Sequence, residues 1–315
     1  MKYVSYIRNG LHSFGIWTKS RILDLPGAAR AFGDTSMPDS LQEFLGDFAY
    51  YHRQAREIID QVDPGRRPEL FFPDGQVTFL PPLPDPRSFR LFYAFPEHTR
   101  SLSEHSDPGH LAERAKTPLY SYMHYSRILG PGEEMQPPAQ TGQLDFELQI
   151  GVIVGRSGKD ISRNEAPSYI AGYLILNDWT GRELETEEMK TGVGLSKSRE
   201  FALSMGPALV TADQIPVDEE SGKLNLSMSA SVNGTPYSSG NTTDMGYSFV
   251  EMIAYASRNC LLRPGDVLST GAVNSGSILS LGPDKYDWLV PGDTVQLQIE
   301  ELGTLSNTIG ASDSS

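Results

Sequence analysis

The chain of 315 residues carries 40 acidic and 26 basic side chains, a formal net charge of −14 at pH 7. Nucleic acids and anionic membranes are bound by basic surfaces, so neither is predicted as a partner. The single Cys260 excludes a disulfide within the chain, and neither a signal peptide nor an apolar run of about 20 residues occurs, so a cytoplasmic protein is predicted.

The first 65 residues predict a small β-rich domain that carries one long helix. Short runs of strand character lie at 3–7, 14–17 and 22–25. Ser40 followed by Glu43 has the pattern of a capping box, which marks the beginning of the helix. Apolar residues then recur at helical spacing, so one face of this helix is predicted to be buried.

A proline-rich segment at 66–87 predicts an extended linker between this module and a larger domain at 88–315. Proline fixes φ and removes a backbone donor, so a stretch ending in PPLPDPR does not suit the interior of a sheet. The larger domain has several predicted strands and a predicted helix at 247–259, which favours a mixed β (α+β) fold. The polar stretch at 101–116 predicts a mobile lid or a plain surface loop.

Polar side chains alternate with apolar ones in the run at 144–155. Asp145, Glu147 and Gln149 are separated by single apolar residues. Side chains alternate between the two faces of a strand, so these three are predicted to share one face. A strand used only for packing would not carry three such residues on one face.

A second segment, at 171–183, contains the apolar run 173–176, which ends abruptly at Asn177 and Asp178. A carboxylate at a strand end, opposite another on a neighbouring strand, is able to hold a hard divalent cation through oxygen ligands. Carboxylates at strand ends are also commonly solvated or hydrogen-bonded to a turn. Spacing and composition leave both interpretations open.

Five segments occur in an order that resembles the fumarylacetoacetate hydrolase family. The family carries an FYSSRQH-type segment, D-x-E-x-E before a glycine-ended apolar run, N-D-W-S-A-R-D, a lysine in an A-K-S turn, and L-x-P-G-D-x-x-x-[ST]-G. Each motif is weak alone, whereas their order over residues 88–300 is specific. The matching segments are FYAFPEH at 92–98, LDFELQIGVIVG at 144–155, AGYLILNDWTGRE at 171–183, LSKS at 195–198 and LLRPGDVLSTG at 261–271.

The resemblance implies a β-roll domain, usually in a homodimer, that encloses a metal site. The family uses Mg²⁺, Mn²⁺ or Ca²⁺ to chelate a β-diketone or 2-oxo acid, and then hydrolyses a carbon–carbon bond; other members decarboxylate, isomerise or tautomerise. A hard cation holding two substrate oxygens stabilises the enolate that forms when the bond breaks. A metal-dependent hydrolase of an acylpyruvate-like or 1,3-dicarbonyl acid is therefore implied.

The metal site is where this sequence departs furthest from the family. Glu147 and Asp178 match two of the family's metal ligands. Gln149 stands in place of a further glutamate, and its amide brings no charge. Leu91 stands where the animal enzymes place a ligand aspartate. These losses predict a weakly bound metal ion or none.

His98, Arg182 and Lys197 match the residues that carry out the family's chemistry. The resemblance implies that His98 is the general base that activates water, and that Arg182 binds the substrate. Lys197 is implied to stabilise the oxyanion. Further residues implied to contact the substrate are Tyr93, His124 and Thr270.

Ser280 stands where the family places the carboxylate that orients the histidine, and Glu97 or Glu104 is a candidate replacement. This loss weakens the case for a water-activating pair. The metal-dependent hydrolase therefore has an alternative, which is a decarboxylase, tautomerase or isomerase of a related oxo acid. This alternative includes an enzyme that needs no metal. A non-catalytic binding protein is the third alternative. No G-x-S-x-G motif occurs, so a serine hydrolase is not predicted.

Overall fold

The structure is a computed structural model that describes residues 1–105, 116–139, 141–191 and 194–311. The predicted mixed β (α+β) class is confirmed. The helices are α1 (Leu25–Ala31), α2 (Leu41–Gly46), α3 (Phe48–Gln61), α4 (Pro96–His105), α5 (Arg182–Thr191), α6 (Phe249–Ala256) and α7 (Ile278–Leu281). The strands are β1 (Lys2–Arg8), β2 (Leu11–Thr18), β3 (Arg21–Asp24), β4 (Phe71–Pro73), β5 (Thr78–Leu80), β6 (Ser88–Phe92), β7 (Tyr120–Met123), β8 (Ile128–Leu129), β9 (Leu144–Asp145), β10 (Leu148–Val154), β11 (Ile170–Asp178), β12 (Thr180–Gly181), β13 (Leu203–Thr211), β14 (Ser227–Val232), β15 (Thr235–Asn241), β16 (Asp266–Ser269), β17 (Thr294–Ile299) and β18 (Gly303–Thr308).

The N-terminal strands lie where they were predicted, whereas the predicted long helix is two helices. Ser40 accepts a hydrogen bond from the N–H of Glu43 at 3.2 Å and so caps the beginning of α2. Asp47 follows α2 and caps α3 by accepting from the N–H of Tyr50 at 3.4 Å. An N-cap residue has a non-helical backbone, so Asp47 interrupts what apolar spacing predicted as one helix.

One sheet of 12 strands runs through the described part of the chain. Its order is β4-β3-β2-β1-β13-β11-β10-β16-β6-β7, with β5 paired to β1 and β8 paired to β13. Tyr3 of β1 lies opposite Leu209 of β13, so the N-terminal module and the larger domain share this sheet. β4 and β5 form inside the predicted linker and pair with β3 and β1. The boundaries at 65 and 87 stay predictions.

A second sheet packs against the long one. Within the described residues it has four strands in the order β15-β14-β17-β18. β14 and β15 form a hairpin whose turn lies at Asn233 and Gly234. Ile150 of β10 and Leu297 of β17 belong to one apolar cluster between the sheets. The two sheets therefore enclose a common interior, as expected of a β-roll.

The central strands β10 and β11 bring the two acidic motifs together. They pair antiparallel, with Leu148 opposite Asn177. The next residues outward, Glu147 and Asp178, are consequently neighbours, and the N–H of Asp178 donates to the carbonyl of Glu147 at 3.3 Å. β9 pairs with β12 beyond this point, and α5 begins at Arg182 directly after β12. Strand pairing thus places both motifs at one end of the roll.

The remaining local predictions concern helices and the lid. Ser248 begins α6, where its N–H donates to the Glu251 carboxylate at 2.8 Å, so the helix predicted at 247–259 is present in shorter form. Most of the lid predicted at 101–116 lies outside the described residues. No helix in the described ranges is both long and apolar enough to cross a membrane.

Candidate active site

A cluster of ionisable side chains is buried at this end of the roll, and each of its residues is at most 8% exposed. Four carboxylates and two guanidinium groups meet there, so their full ionisation gives 4 negative and 2 positive charges and a net charge of −2. Buried charges at this density require close pairing, because water does not screen them. We call this set the charged cluster; its members are Asp145, Glu147, Asp178, Arg182, Glu185 and Arg199.

Two glutamates link the two arginines of the charged cluster. Glu147 Oε1 accepts from Arg182 Nη2 at 3.0 Å and from Arg199 Nη2 at 2.7 Å. One oxygen of Glu185 accepts from Arg182 Nη1 at 2.6 Å, and the other accepts from Arg199 Nη2 at 2.7 Å. The four side chains close a ring of charged hydrogen bonds, which are roughly twice as strong as bonds between neutral groups.

Asp145 anchors one side of this ring. Its carboxylate accepts from Arg182 Nε at 2.8 Å and from the backbone N–H groups of Ile278 and Leu279 at 2.7 and 3.1 Å. These two N–H groups open α7 and have no partner inside the helix. Asp145 therefore joins β9, α5 and α7, and its lone pairs are used in holding the fold together.

The three predicted metal ligands lie side by side, but the amide among them is turned the wrong way for a ligand. Gln149 Nε2 donates to Glu147 Oε2 at 2.8 Å and to Asp178 Oδ2 at 3.4 Å, while its oxygen accepts from the Ser269 hydroxyl. Because an ionised carboxylate only accepts, the amide presents its NH₂ group to the cluster. Leu91, at the fourth ligand position, lies in the apolar core.

Arg199 fills the space that the predicted ligands would share. Its Nη1 donates to Glu147 Oε2 at 2.6 Å and to Asp178 Oδ2 at 2.7 Å. Across the described residues, no group of three or more His, Cys, Asp or Glu side chains is arranged to hold a metal ion. This donor set does not fit a divalent cation, and the ligand roles of Glu147, Gln149 and Asp178 stay predictions.

Electrostatic effects differ between the two carboxylates that Arg199 bridges. Burial disfavours ionisation of Glu147, but Arg199 and then Arg182 outweigh burial and lower its pKa. Burial raises the pKa of Asp178 to about 6, assisted by Glu147 and opposed by Arg199. The buried Tyr125 hydroxyl lies near Asp178 and also favours its ionised form. Glu147 is thus the firmly ionised member of the pair.

His98 is buried next to the charged cluster, with its Nε2 4.0 Å from Glu147 Oε1. Its backbone N–H donates to the Asn274 side chain at 3.2 Å, which fixes the first turn of α4 against the β16–α7 loop. Burial lowers the pKa of His98 to about 4, and the opposing effect of Glu147 is smaller. The imidazole is therefore neutral at pH 7 and able to accept a proton.

Among the described side chains, Glu147 is the carboxylate that lies within 4.0 Å of the His98 imidazole. Ser280 instead caps α7 internally, where its hydroxyl accepts from the Ser277 N–H at 3.2 Å. Glu97 pairs with Arg100 at the surface, at 2.6 Å. The side chain of Glu104 lies outside the described part. The sequence predicts Glu97 or Glu104 in the orienting role and Glu147 as a metal ligand, so the position of Glu147 beside His98 is a finding of the structure.

A cavity of about 20 Å³ lies between His98, Glu147 and Arg199. This volume has room for about one water molecule. Tyr93 and Thr270, both predicted to contact a substrate, line the same cavity. A neutral imidazole, a carboxylate and a guanidinium thus surround one water-sized space, which suits proton transfer to and from a bound molecule.

Two predicted site residues lie at the surface. Lys197 pairs with Glu200 at 2.5 Å, and its side chain is 73% exposed. His124 is exposed beyond the end of β7. Neither lines the cavity, and their roles stay predictions. Arg182 is held inside the charged cluster and lines a separate, open cavity of about 420 Å³.

Arg199 and Glu185 are the site residues that the sequence analysis missed. Glu188 of α5 accepts hydrogen bonds from the N–H and the hydroxyl of Ser198, at 3.1 and 2.5 Å, and so fixes the turn before Arg199. The turn directs Arg199 into the roll and Lys197 outward. Charge balance is the sequence signal that points to Arg199. The carboxylates predicted at the site require a cation when they are buried, and Arg199 lies two residues from the lysine predicted there.

Comparison with known proteins places this arrangement in a family. The family model described as fumarylacetoacetate (FAA) hydrolase C-terminal matches residues 87–310. An uncharacterized protein from Staphylococcus epidermidis is 32% identical over 321 aligned residues, which cover 98% of this chain and 99% of the relative. A solved fumarylacetoacetate hydrolase from Exiguobacterium antarcticum is 25% identical, with a TM-score of 0.75 and 99% of each chain covered.

Two more distant structures share the fold. Maleylpyruvate hydrolase from Sphingobium sp. SYK-6, in complex with manganese(II) and pyruvate, is 19% identical with a TM-score of 0.71, and covers 99% of this chain and 100% of its own. A 5-carboxymethyl-2-hydroxymuconate delta-isomerase from Mycobacterium smegmatis is 18% identical with a TM-score of 0.67 and the same coverage. Hydrolases and isomerases therefore share this architecture. The family-model match over most of the chain shows that it belongs to the fumarylacetoacetate hydrolase family.

Proposed function

We propose that this chain is an enzyme that hydrolyses a carbon–carbon bond in a small acylpyruvate-like or other 1,3-dicarbonyl acid. The observation that supports this most is a neutral, buried His98 beside a cavity with room for about one water molecule. A base that is neutral at pH 7 and adjacent to a water position meets the first requirement of hydrolysis.

In the proposed reaction, His98 takes a proton from water as the water oxygen attacks the acyl carbonyl carbon. The bond between that carbon and the central carbon of the dicarbonyl then breaks, and its electron pair forms the enolate of the 2-oxo acid. His98 returns the proton to the enolate carbon. One water is consumed, and a carboxylic acid and a 2-oxo acid are released.

The charged cluster supplies the electrostatic part of this proposal. Arg199 lines the cavity, and its buried Nε–H has no hydrogen-bond partner, so we propose this N–H as the donor for a developing enolate oxygen. Glu147, 4.0 Å from His98, favours the imidazolium that exists between the two proton transfers. The proposed steps use no metal ion, because the Arg199 guanidinium lies between Glu147 and Asp178.

A second candidate function is isomerisation of a related oxo acid, with His98 moving a proton between two carbon atoms. The surface position of Lys197 favours it, because hydrolysis also has to stabilise a tetrahedral oxyanion and the predicted lysine is not at the cavity. Enolate formation alone requires less, namely a base and one donor at the oxygen.

The test is a product analysis with acetylpyruvate and longer acylpyruvates by NMR, for the wild type and His98→Gln. We expect acetate and pyruvate from acetylpyruvate, and a rate reduced by about 100-fold or more in His98→Gln, since a general base contributes that much. His12→Gln is the matched control, because His12 is exposed on β2.

The products distinguish the candidates. Cleavage supports the hydrolase, and a shifted double bond without cleavage supports the isomerase. Saturable binding of oxo acids without any turnover would overturn both reactions and leave the binding protein. Equal loss of activity in His98→Gln and His12→Gln would contradict the assignment of His98.

A further inference from the structure

The side chain of Arg199 contacts three carboxylates at once. It donates to Glu147, Asp178 and Glu185 through four hydrogen bonds of 2.6 to 2.7 Å, and only 3% of the side chain is exposed. A guanidinium remains charged at every physiological pH and offers its N–H groups in a rigid planar fork. It satisfies the neighbouring oxygens in the way a coordinated cation would.

The carboxylates at this position require a cation or a shared proton between them. The oxygens of Glu147 and Asp178 that bind Arg199 share a single donor atom, Nη1, at 2.6 and 2.7 Å. Two buried carboxylates that converge on one point repel each other strongly unless a positive charge lies between them or they share a proton. A divalent ion and a guanidinium are two cations that fit such a position.

The orientation of the Gln149 amide is consistent with a guanidinium, rather than a metal ion, between the two carboxylates. Its Nε2 donates to Glu147 at 2.8 Å and to Asp178 at 3.4 Å, and the Ser269 hydroxyl holds its oxygen on the opposite side. The nearest groups around a hard metal ion present oxygen atoms to it. Here the amide presents hydrogens to the same two carboxylates that Arg199 serves, so both side chains act as donors to one pair of acceptors.

The turn before Arg199 is held by contacts from α5. Glu188 accepts from the N–H and hydroxyl of Ser198, and also from the N–H of Ser196 at 3.0 Å. These contacts orient the backbone at Arg199 toward the charged cluster, and the four charged hydrogen bonds hold the guanidinium there.

We propose that Arg199 is an internal cation that takes the place of a divalent ion among Glu147, Asp178 and Glu185. Folding and integrity of the site then require no metal; the maleylpyruvate hydrolase with the same fold was solved in complex with manganese(II). This inference goes beyond the proposed reaction, since it applies equally to a hydrolase, an isomerase or a binding protein. Its test measures metal binding and stability, so its failure is distinguishable from failure of the proposed activity.

The experiment is a rescue by manganese of a variant that lacks the guanidinium. Arg199→Met replaces the arginine with an unbranched, uncharged side chain. Arg90→Met is the control, because Arg90 is 4% exposed and pairs with Asp266 outside the cluster. Metal-stripped wild type and both variants are titrated with Mn²⁺ into the millimolar range. Free Mn²⁺ is followed by electron paramagnetic resonance, and Tm is recorded at each concentration.

We expect the wild type to bind no Mn²⁺ saturably and to have the same Tm with chelator and with Mn²⁺. Arg199→Met should have a lower Tm, bind one Mn²⁺ per chain, and regain on the order of 5 °C at a hundredfold excess over Kd. Arg90→Met should also have a lower Tm, without any response to Mn²⁺.

Saturable binding of one Mn²⁺ by the wild type would overturn the proposal. The wild-type titration tests the proposal even if Arg199→Met fails to fold. A folded Arg199→Met that binds no Mn²⁺ would also overturn it, because the position would then not be that of a replaced ion. Rescue of Arg90→Met to the same extent would show that Mn²⁺ acts elsewhere.

Discussion

Two groups of ionisable side chains in this molecule use the same residue types at very different depths. In the charged cluster, Arg199 and its carboxylate partners are almost completely buried. Near the N-terminal strands, Arg56 pairs with Asp213 and also donates to His52 at 3.1 Å. There the Arg56 side chain is 50% exposed and the Asp213 side chain 38% exposed.

The difference in depth changes what an ion pair does. At the surface, water competes for both partners, and such a pair contributes about 0 to 1 kcal/mol. In the interior, the pair offsets a desolvation cost, and removal of one partner leaves a buried charge with nothing to balance it. Loss of one charge from the charged cluster is therefore strongly destabilising, whereas loss of one charge from the Arg56–Asp213 pair is not.

The largest expected effect is that of Arg199→Met on stability. Loss of the guanidinium leaves Glu147, Asp178 and Glu185 facing one another in the interior. We expect the free energy of unfolding to fall by about 3 to 5 kcal/mol, measured by urea unfolding in chelator. A loss below about 1 kcal/mol would mean that the charged cluster is no more important for stability than the exposed Arg56–Asp213 pair.

The next largest effect is a pH dependence that His98 causes. Its pKa is about 4 in the folded protein and 6.5 in an ordinary histidine. As pH falls below 6.5, the unfolded chain takes up a proton that the folded chain accepts only near pH 4, so acidification lowers the free energy of unfolding. The shift corresponds to about 3 kcal/mol, all of it lost once the pH is below both values.

Asp178 acts with the opposite sign, because burial raises its pKa to about 6. The folded protein protonates it first, so its contribution to stability is present at low pH and is lost as the pH rises through about 6. We therefore compare wild type with His98→Gln at each pH, since both contain Asp178. The difference in unfolding free energy should change by about 3 kcal/mol between pH 7 and pH 4, and a constant difference would contradict the burial of a neutral His98.

Arg56→Ala should have a small effect on stability. The pair with Asp213 is half exposed, so we expect the free energy of unfolding to fall by less than about 1 kcal/mol in urea unfolding. The loss should shrink further in high salt, because solvent ions screen exposed charges. A loss as large as that of Arg199→Met would show that burial does not explain the difference in stability between the charged cluster and the Arg56–Asp213 pair.

The smallest stability effect is expected for Lys197→Ala. The lysine is 73% exposed and contacts Glu200, so the free energy of unfolding should change by no more than about 0.5 kcal/mol. Steady-state kinetics of the same variant test the oxyanion role that the resemblance implied. A kcat reduced by 100-fold or more, as expected of a lost oxyanion donor, would mean that the lysine reaches the substrate during turnover.

The sequence predicted the frame of the site well, because strand alternation is a local property. Glu147 and Gln149 do share a face of one strand region, and Asp178 lies beside them through the pairing of β10 with β11. Tyr93 and His98, which follow β6, do line one cavity. Alternation and motif order together were sufficient for these positions.

The content of the site was harder to predict, because it depends on which way a turn directs its side chains. Lys197 and Arg199 are two residues apart, and a contact from α5 through Glu188 selects the arginine for the interior. The break in the long helix at Asp47 has a similar origin, in a capping bond that apolar spacing does not record. Capping and turn contacts of this kind have no periodic signature in the sequence.

The most direct test of the internal cation is a crystal structure of the wild type soaked in MnCl₂, with anomalous data collected at the manganese edge. We predict the planar guanidinium of Arg199 bridging Glu147 and Asp178, with no anomalous peak between these carboxylates. A manganese peak at that position, with the Arg199 side chain displaced from it, would contradict the central claim.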